Sequence, residues 1–291
     1  MNGCKLLSFR TLIDAEDLRR HRDGPGWCVF DCRCSPFDPA VGRSAYLAGH
    51  IPGARHADLD WVLAGPKTAT SGRHPLPARA VLAEWLGREG VGGASQVVAY
   101  DDAGGAFAAR LWWLLRWLGH ERVAVLDGGL TAWCEAGGEL EAAEAPSVPA
   151  AAFTPGEPLG QCLDAAEVLE ISRERSPGVL VDARAAPRYR GESEPVDAVA
   201  GHIPGALNRP YGGNLDASRR FLDRERLRER FAGLSRNPSL VVHYCGSGVT
   251  ACHNVLAMEH AGLTGSRLYA GSWSEWIRDP ERPVTRGPEG E

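Results

Sequence analysis

Short runs of consecutive apolar residues alternate along this chain with longer stretches in which apolar positions recur at helical spacing. WCVFD (27–31), VVAYD (97–101) and VAVLD (123–127) are too short for helices and rich in β-branched and aromatic residues, so they predict strands. Between them, residues 78–89 show helical periodicity, and AFAARLWWLLRWLG (106–119) predicts a strongly apolar helix closed by Gly119; a short helix runs through Trp133 after the third strand. The second half repeats this order. A helix is expected from Asp164, a strand over 179–182, a helix from Asp223, a strand over 240–244, a helix from Val249 and a strand over 267–270. Strand–helix alternation of this kind predicts the α/β class, with each half a mainly parallel sheet covered by helices on both faces.

The two halves also match residue by residue. DCR…LAGHIPGA, VVAYDDAGG and VLDGGLTAW in the first recur as DAR…VAGHIPGA, VVHYCGSGV and LYAGSWSEW in the second. The offset drifts from 152 residues at His50 and His202 to 144 at Tyr100 and Tyr244 and 143 at Trp133 and Trp276. Each half is therefore one copy of a unit with small loop deletions, over 1–136 and 161–291. Residues 137–160, rich in Pro, Ala, Gly and Glu and without periodicity, predict a linker long enough to wrap across both domains. After the paired tyrosines the copies differ: Asp101 stands where the second copy has Cys245. One half keeps a nucleophile at this position and the other has lost it.

Composition narrows the partners. With 24% charged and 44% hydrophobic residues the 291-residue chain has a soluble globular profile, and its net charge of −5 gives no reason to expect nucleic acid or a membrane. No apolar run approaches the roughly 20 residues that span a bilayer. The opening MNGCKLLSF makes a poor signal peptide, which points to the cytoplasm, where thiols stay reduced. Cys28, Cys32 and Cys34 cluster, but no second pair at zinc spacing answers them, so neither a metal nor a cofactor is expected.

The chemistry centres on Cys245. It follows the strand VVHY and opens CGSGVT before a helix, so two glycines let the backbone turn its N–H groups inward, with the positive helix end aimed at the same spot. A sulfur set among donors is favoured as thiolate. Cys252, seven residues on, reads as a packed helix residue. The tryptophans of LWWLLRW read as core and domain interface. His50 and His202 occur in both copies, so they serve the shared fold by holding a turn.

DAR…GHIPGA, the Cys-first loop and the closing GSWSEW resemble the rhodanese superfamily, specifically its tandem-domain sulfurtransferases, over nearly the whole chain. The resemblance implies two tandem rhodanese-like domains, the first inactive and the second catalytic, with a site at their interface. It implies a sulfurtransferase that moves a sulfane sulfur from thiosulfate or 3-mercaptopyruvate to cyanide or a thiol through a Cys245 persulfide, with Gly246, Gly248, Val249 and Thr250 lining the site. CGSGVT is similar to the loop of the mercaptopyruvate members. Arg188, in RYRG, matches the family arginine that binds the donor's anionic group; Arg190 is either a second contact or a solvated loop charge, and Arg184 is structural. Mercaptopyruvate members carry another arginine shortly before GHIPG, where this chain has ESEPVDAVAGHIPG, so Arg188 is the main anchor available and both donors should be accepted. An Asp–His–Ser relay of the family matches Asp60, His74 and Ser247 by position.

Two other functions compete with this one. A Cys-dependent phosphatase needs an arginine six residues after the Cys to hold phosphoryl oxygens, and position 251 is alanine. A non-catalytic sulfur carrier or regulatory binding module is separated from an enzyme by assay rather than by sequence.

Overall fold

The computed structural model describes residues 8–35, 38–288 and 290; the opening segment MNGCKLL lies outside them. The first domain runs β1 (Leu12–Ile13), α1 (Ala15–His21), β2 (Trp27–Asp31), α2 (Pro39–Ala48), β3 (Arg55–His56), α3 (Arg79–Arg88), β4 (Gln96–Tyr100), α4 (Ala108–Trp117), β5 (Val123–Leu126) and α5 (Gly129–Glu135). The second runs β6 (Cys162–Leu163), α6 (Ala165–Ser172), β7 (Val179–Asp182), α7 (Ala186–Arg190), β8 (Leu207–Asn208), α8 (Arg224–Phe231), β9 (Val241–Tyr244), α9 (Ala251–His260), β10 (Arg267–Tyr269) and α10 (Ser272–Trp276). The sheet orders are β1-β5-β4-β2-β3 and β6-β10-β9-β7-β8, the same order once the copies are aligned. All pairings in both are parallel. The central strands β4 and β9 are buried along their whole length, as expected of parallel strands covered on both faces.

Each copy locks its strand end to its GHIPG turn with the same parts. Asp31 takes a forked ion pair from Arg33, whose Nη2 also donates to Gly49 O at 2.7 Å. Asp182 and Arg184 repeat it, with Arg184 Nη2 donating to Gly201 O at 2.7 Å. Tyr100 donates to Asp31 at 2.8 Å and accepts from Ile51 N; Tyr244 accepts from Ile203 N at 3.2 Å. His50 Nδ1 lies 2.9 Å from Tyr46 O and His202 Nδ1 2.8 Å from Tyr189 O, each ring stacked on that tyrosine. These residues hold the shared turn in both halves.

The domains meet through α4 and α9. Residues Ala108–Leu115 and Ala251–Met258 are buried, and Trp112 and Trp113 share one apolar cluster with Val255 and Leu256. That continuous core holds the two sheets in a fixed relation. Between α5 and β6 the chain crosses the first domain without helix or strand, giving backbone hydrogen bonds from Ala151 N to Gly87 O, Gly156 N to Leu118 O and Leu159 N to Arg116 O.

Candidate active site

Cys245 leaves the carboxyl end of β9, where ligands collect in open parallel sheets, and the turn it begins feeds α9. Gly248 has φ +77°, and a β-carbon there would meet Ala270 O at 2.2 Å, so the turn requires glycine. Its N–H donates to Cys245 Sγ at 3.1 Å, the single amide bond to the sulfur among the described residues. From behind, α10 fixes the loop. Ser272, itself at φ +55°, accepts from Cys245 N at 3.1 Å and donates to Tyr269 O. Trp273 N and Ser274 N donate to the carbonyls of Cys245 and Gly246. Cys245 is 2% exposed and lines a cavity of about 510 Å³ whose wall comes from both domains.

Within that cavity His74 Nδ1 lies 2.8 Å from Ser247 Oγ, joining the first domain to the Cys loop. Asp60 Oδ1 is 3.6 Å from His74 Nε2, an electrostatic contact longer than a hydrogen bond, and 3.6 Å from Lys67 Nζ. Asp58, its near neighbour, instead accepts from the N–H groups of Asp60 and Trp61. Burial lowers the His74 pKa to about 4; Asp60 opposes the shift, while Arg110, Arg73 and Lys67 add to it. At neutral pH His74 is therefore uncharged, with one nitrogen able to accept and the other to donate.

Another side of the cavity is built on α7. Arg188 forks onto Glu194, at 3.1 and 2.6 Å, and reaches Asp197 at 3.2 Å, while its guanidinium borders the cavity. Arg190, two residues on, turns elsewhere: its guanidinium pairs with Glu192 at 2.8 and 3.0 Å, its carbonyl accepts from Gly287 N, and it does not line the cavity. Gly246, Ser247, Val249 and Thr250 line it; Gly248 faces Ala270 instead. Glu194 is partly desolvated, yet the hydrogen bonds and charge of Arg188 and the amides of Asp197 and Val196 hold its pKa below the usual range.

Two residues that the sequence pattern does not single out also shape the site. Arg73, next to His74 in RHPLP, enters the cavity beside Gly246. Arg110, in the apolar helix α4, is fully buried and donates to Gly248 O at 3.0 Å, His74 O at 3.1 Å and Leu63 O at 3.2 Å. It ties the Cys loop to the His74 segment. A charge inside the run AARLWWLL was the signal available for it; for Arg73 only adjacency to the histidine hinted at a role.

In the first copy the corresponding turn is filled. Asp101 is wholly buried and accepts from four backbone N–H groups, those of Ala103, Gly105, Phe107 and Ala108, at 2.8–2.9 Å. Burial pushes its pKa up while those amides pull it down, and burial prevails. The carboxylate occupies the cradle that, in the second copy, opens on a thiol. Cys252 is also buried, donates to Gly248 O at 3.3 Å, and has its pKa pushed up by burial to about 12. Among the described residues no group of His, Cys, Asp and Glu is placed to hold a metal ion, and no helix is long and apolar enough to cross a membrane.

Among known proteins, a family model described as "Rhodanese-like domain" matches residues 14–136 and 164–279. A probable 3-mercaptopyruvate sulfurtransferase from Pseudomonas aeruginosa is 48% identical over 285 residues, covering 97% of this chain and all of that one. A putative thiosulfate sulfurtransferase from Mycobacterium tuberculosis is 41% identical over 257 residues, 86% of this chain and 88% of that one. The solved structure of 3-mercaptopyruvate sulfurtransferase from Leishmania major superposes with a TM-score of 0.80 at 32% identity, covering 93% of this chain and 76% of that one.

Proposed function

The chain belongs to the rhodanese-like family as a tandem-domain sulfurtransferase, and from that premise we propose that it moves a sulfane sulfur from 3-mercaptopyruvate or thiosulfate to cyanide or a thiol through a persulfide on Cys245. The observation that carries this reading is one cavity holding a glycine-cradled thiol, a Ser–His contact and a guanidinium group. The mixed sources of its wall explain why the copy without a nucleophile is retained: it supplies His74 and Asp60.

The first half-reaction begins with the Cys245 thiolate attacking the donor's outer sulfur. With thiosulfate, the S–S bond breaks and sulfite leaves with the electron pair. With 3-mercaptopyruvate, the C–S bond breaks, an enolate of pyruvate leaves, and the proton that began on the donor's thiol ends on the methyl carbon of pyruvate. In both cases the enzyme is left as Cys245–S–S⁻. The mercaptopyruvate route needs a proton carried from sulfur to carbon and a stabilised enolate oxygen, and neutral His74 acting through Ser247 is equipped for both. The thiosulfate route transfers no proton. The Gly248 N–H that reaches Sγ, together with the α9 N-terminus, stabilises charge on the sulfur. In the second half-reaction cyanide or a thiolate attacks the outer sulfur, and Cys245 departs as thiolate.

The relay therefore favours 3-mercaptopyruvate, the donor named for the Pseudomonas relative, with thiosulfate, named for the mycobacterial one, as the second donor. The partners are the small-molecule donor and the acceptor, and the free, mostly shielded cysteines among the described residues suit a reducing cytoplasm. Thiocyanate release measured with each donor and cyanide tests the assignment. Turnover on both, faster on 3-mercaptopyruvate, is expected; turnover on neither contradicts it and leaves the non-catalytic carrier.

A further inference from the structure

We propose that Arg73, from the first domain, binds the donor's anionic end together with Arg188, so that guanidinium groups from both domains clamp the donor beside Cys245; this rests on the sulfurtransferase reading above. A β-carbon placed on Gly246, the residue after the nucleophile, would lie 2.9 Å from Arg73 Nη2 and 3.5–3.6 Å from both terminal nitrogens of Arg188. Both arginines thus converge on one point of the cavity wall, where the absence of a side chain leaves room.

Asp197 holds them there. One of its oxygens pairs with Arg73 Nη1 and the other with Arg188 Nη2, and the Asp197 side chain is only 4% exposed. Glu194 braces Arg188 from a second direction. Ser274 Oγ accepts from Arg73 N at 3.0 Å, which ties the Arg73 backbone to the segment that supports the Cys loop. Among the described residues nothing accepts a hydrogen bond from Arg73 Nη2 or Arg188 Nη1. At least one terminal nitrogen on each guanidinium therefore remains for a carboxylate or a sulfonate-like oxyanion, whose separate oxygens can each take one. The chain before GHIPG, which carries Asp197 rather than an arginine, is then not a gap in the anchor but the positioning element for an arginine arriving from the other domain. Asp197 is a positioning residue; Arg73 touches the donor.

The test is the steady-state and half-reaction kinetics of the full chain. Arg73→Ala is expected to raise the donor KM roughly 10-fold or more, while discharge of the preformed persulfide to cyanide keeps its wild-type rate. Arg73→Lys, which keeps charge but loses the fork, recovers part of the affinity. Arg73→Ala with Arg188→Ala together cost less than the product of the single effects, because both hold the same anion. A wild-type donor KM in Arg73→Ala, with wild-type turnover intact, overturns the clamp alone. Absence of turnover in the wild-type chain on either donor overturns the sulfurtransferase reading and the clamp with it. Should Arg73→Ala fail to fold, Arg73→Gln gives the same readout.

Discussion

His74 Nδ1 and Ser247 Oγ lie 2.8 Å apart across the domain boundary, so a histidine from the copy without a nucleophile touches the loop of the copy that has one. In the proposed reaction proton transfer is needed for one donor and not the other, so this contact is expected to separate them. Ser247→Ala and His74→Gln are expected to slow persulfide formation from 3-mercaptopyruvate by about 10²-fold or more, within the usual range for general acid–base groups. Formation from thiosulfate should change far less. Rapid-mixing measurement of the first half-reaction with each donor checks this, and equal losses on both donors would contradict it.

Asp101 is the buried acceptor at the centre of the first domain's turn, satisfying four N–H groups. Removing it strands those donors, each worth roughly 1–3 kcal/mol when left unpaired. Asp101→Ala is therefore expected to lower stability by about 3 kcal/mol or more in urea unfolding, although it lies outside the cavity. Asp101→Cys should form no second persulfide under turnover conditions, because the position does not line the cavity and the following DAGG does not reproduce the second copy's GSGV. A persulfide appearing there at a rate comparable to Cys245 would contradict this role for loop sequence and cavity access.

Several buried histidines set an acid limit on the fold. Burial lowers the pKa to about 4 in His74 and His253 and to about 3 in His243. Each is held uncharged when folded but takes a proton near pH 6.5 when unfolded, so below that pH the unfolded state binds more protons. Stability is then present in full above about pH 6.5, falls as pH drops toward 4, and the slope is up to roughly 1.4 kcal/mol per pH unit for each such histidine. Denaturant midpoints measured from pH 7 to 4.5 should decline steadily. His243→Phe should flatten the decline, and an unchanged slope in that variant would argue against the assignment.

Much of the architecture was legible because repetition and period coincide. The central strands over 97–101, 179–182 and 240–244 and the apolar helix over 106–119 occur within a residue or two of the expected bounds, since long apolar runs buried on both faces leave a strong pattern. The edge strands β1, β3, β6 and β8 are two residues each, too short to carry any period, and α1, α2 and α7 were not foreseen either. α7 is a five-residue turn of helix, APRYR, with Pro187 in its first turn, too short to carry a period. At the site, loop chemistry pointed to Cys245 because glycines and a helix start are local signals. Arg73 and Arg110 could not be found that way. Their meaning depends on which carbonyls and carboxylates lie across a domain boundary, and sequence spacing carries no record of that.

The most direct test of sulfur transfer through the second-domain loop is the mass of the Cys245 peptide after the protein is treated with 3-mercaptopyruvate and no acceptor. A gain of about 32 Da, one sulfur atom, is expected on that peptide, which also holds Cys252, with fragmentation placing it on Cys245; it is absent from the peptide holding Cys34 and lost again when cyanide is added. An unmodified Cys245 peptide in a chain that still releases thiocyanate, or undiminished turnover in Cys245→Ser, would contradict it.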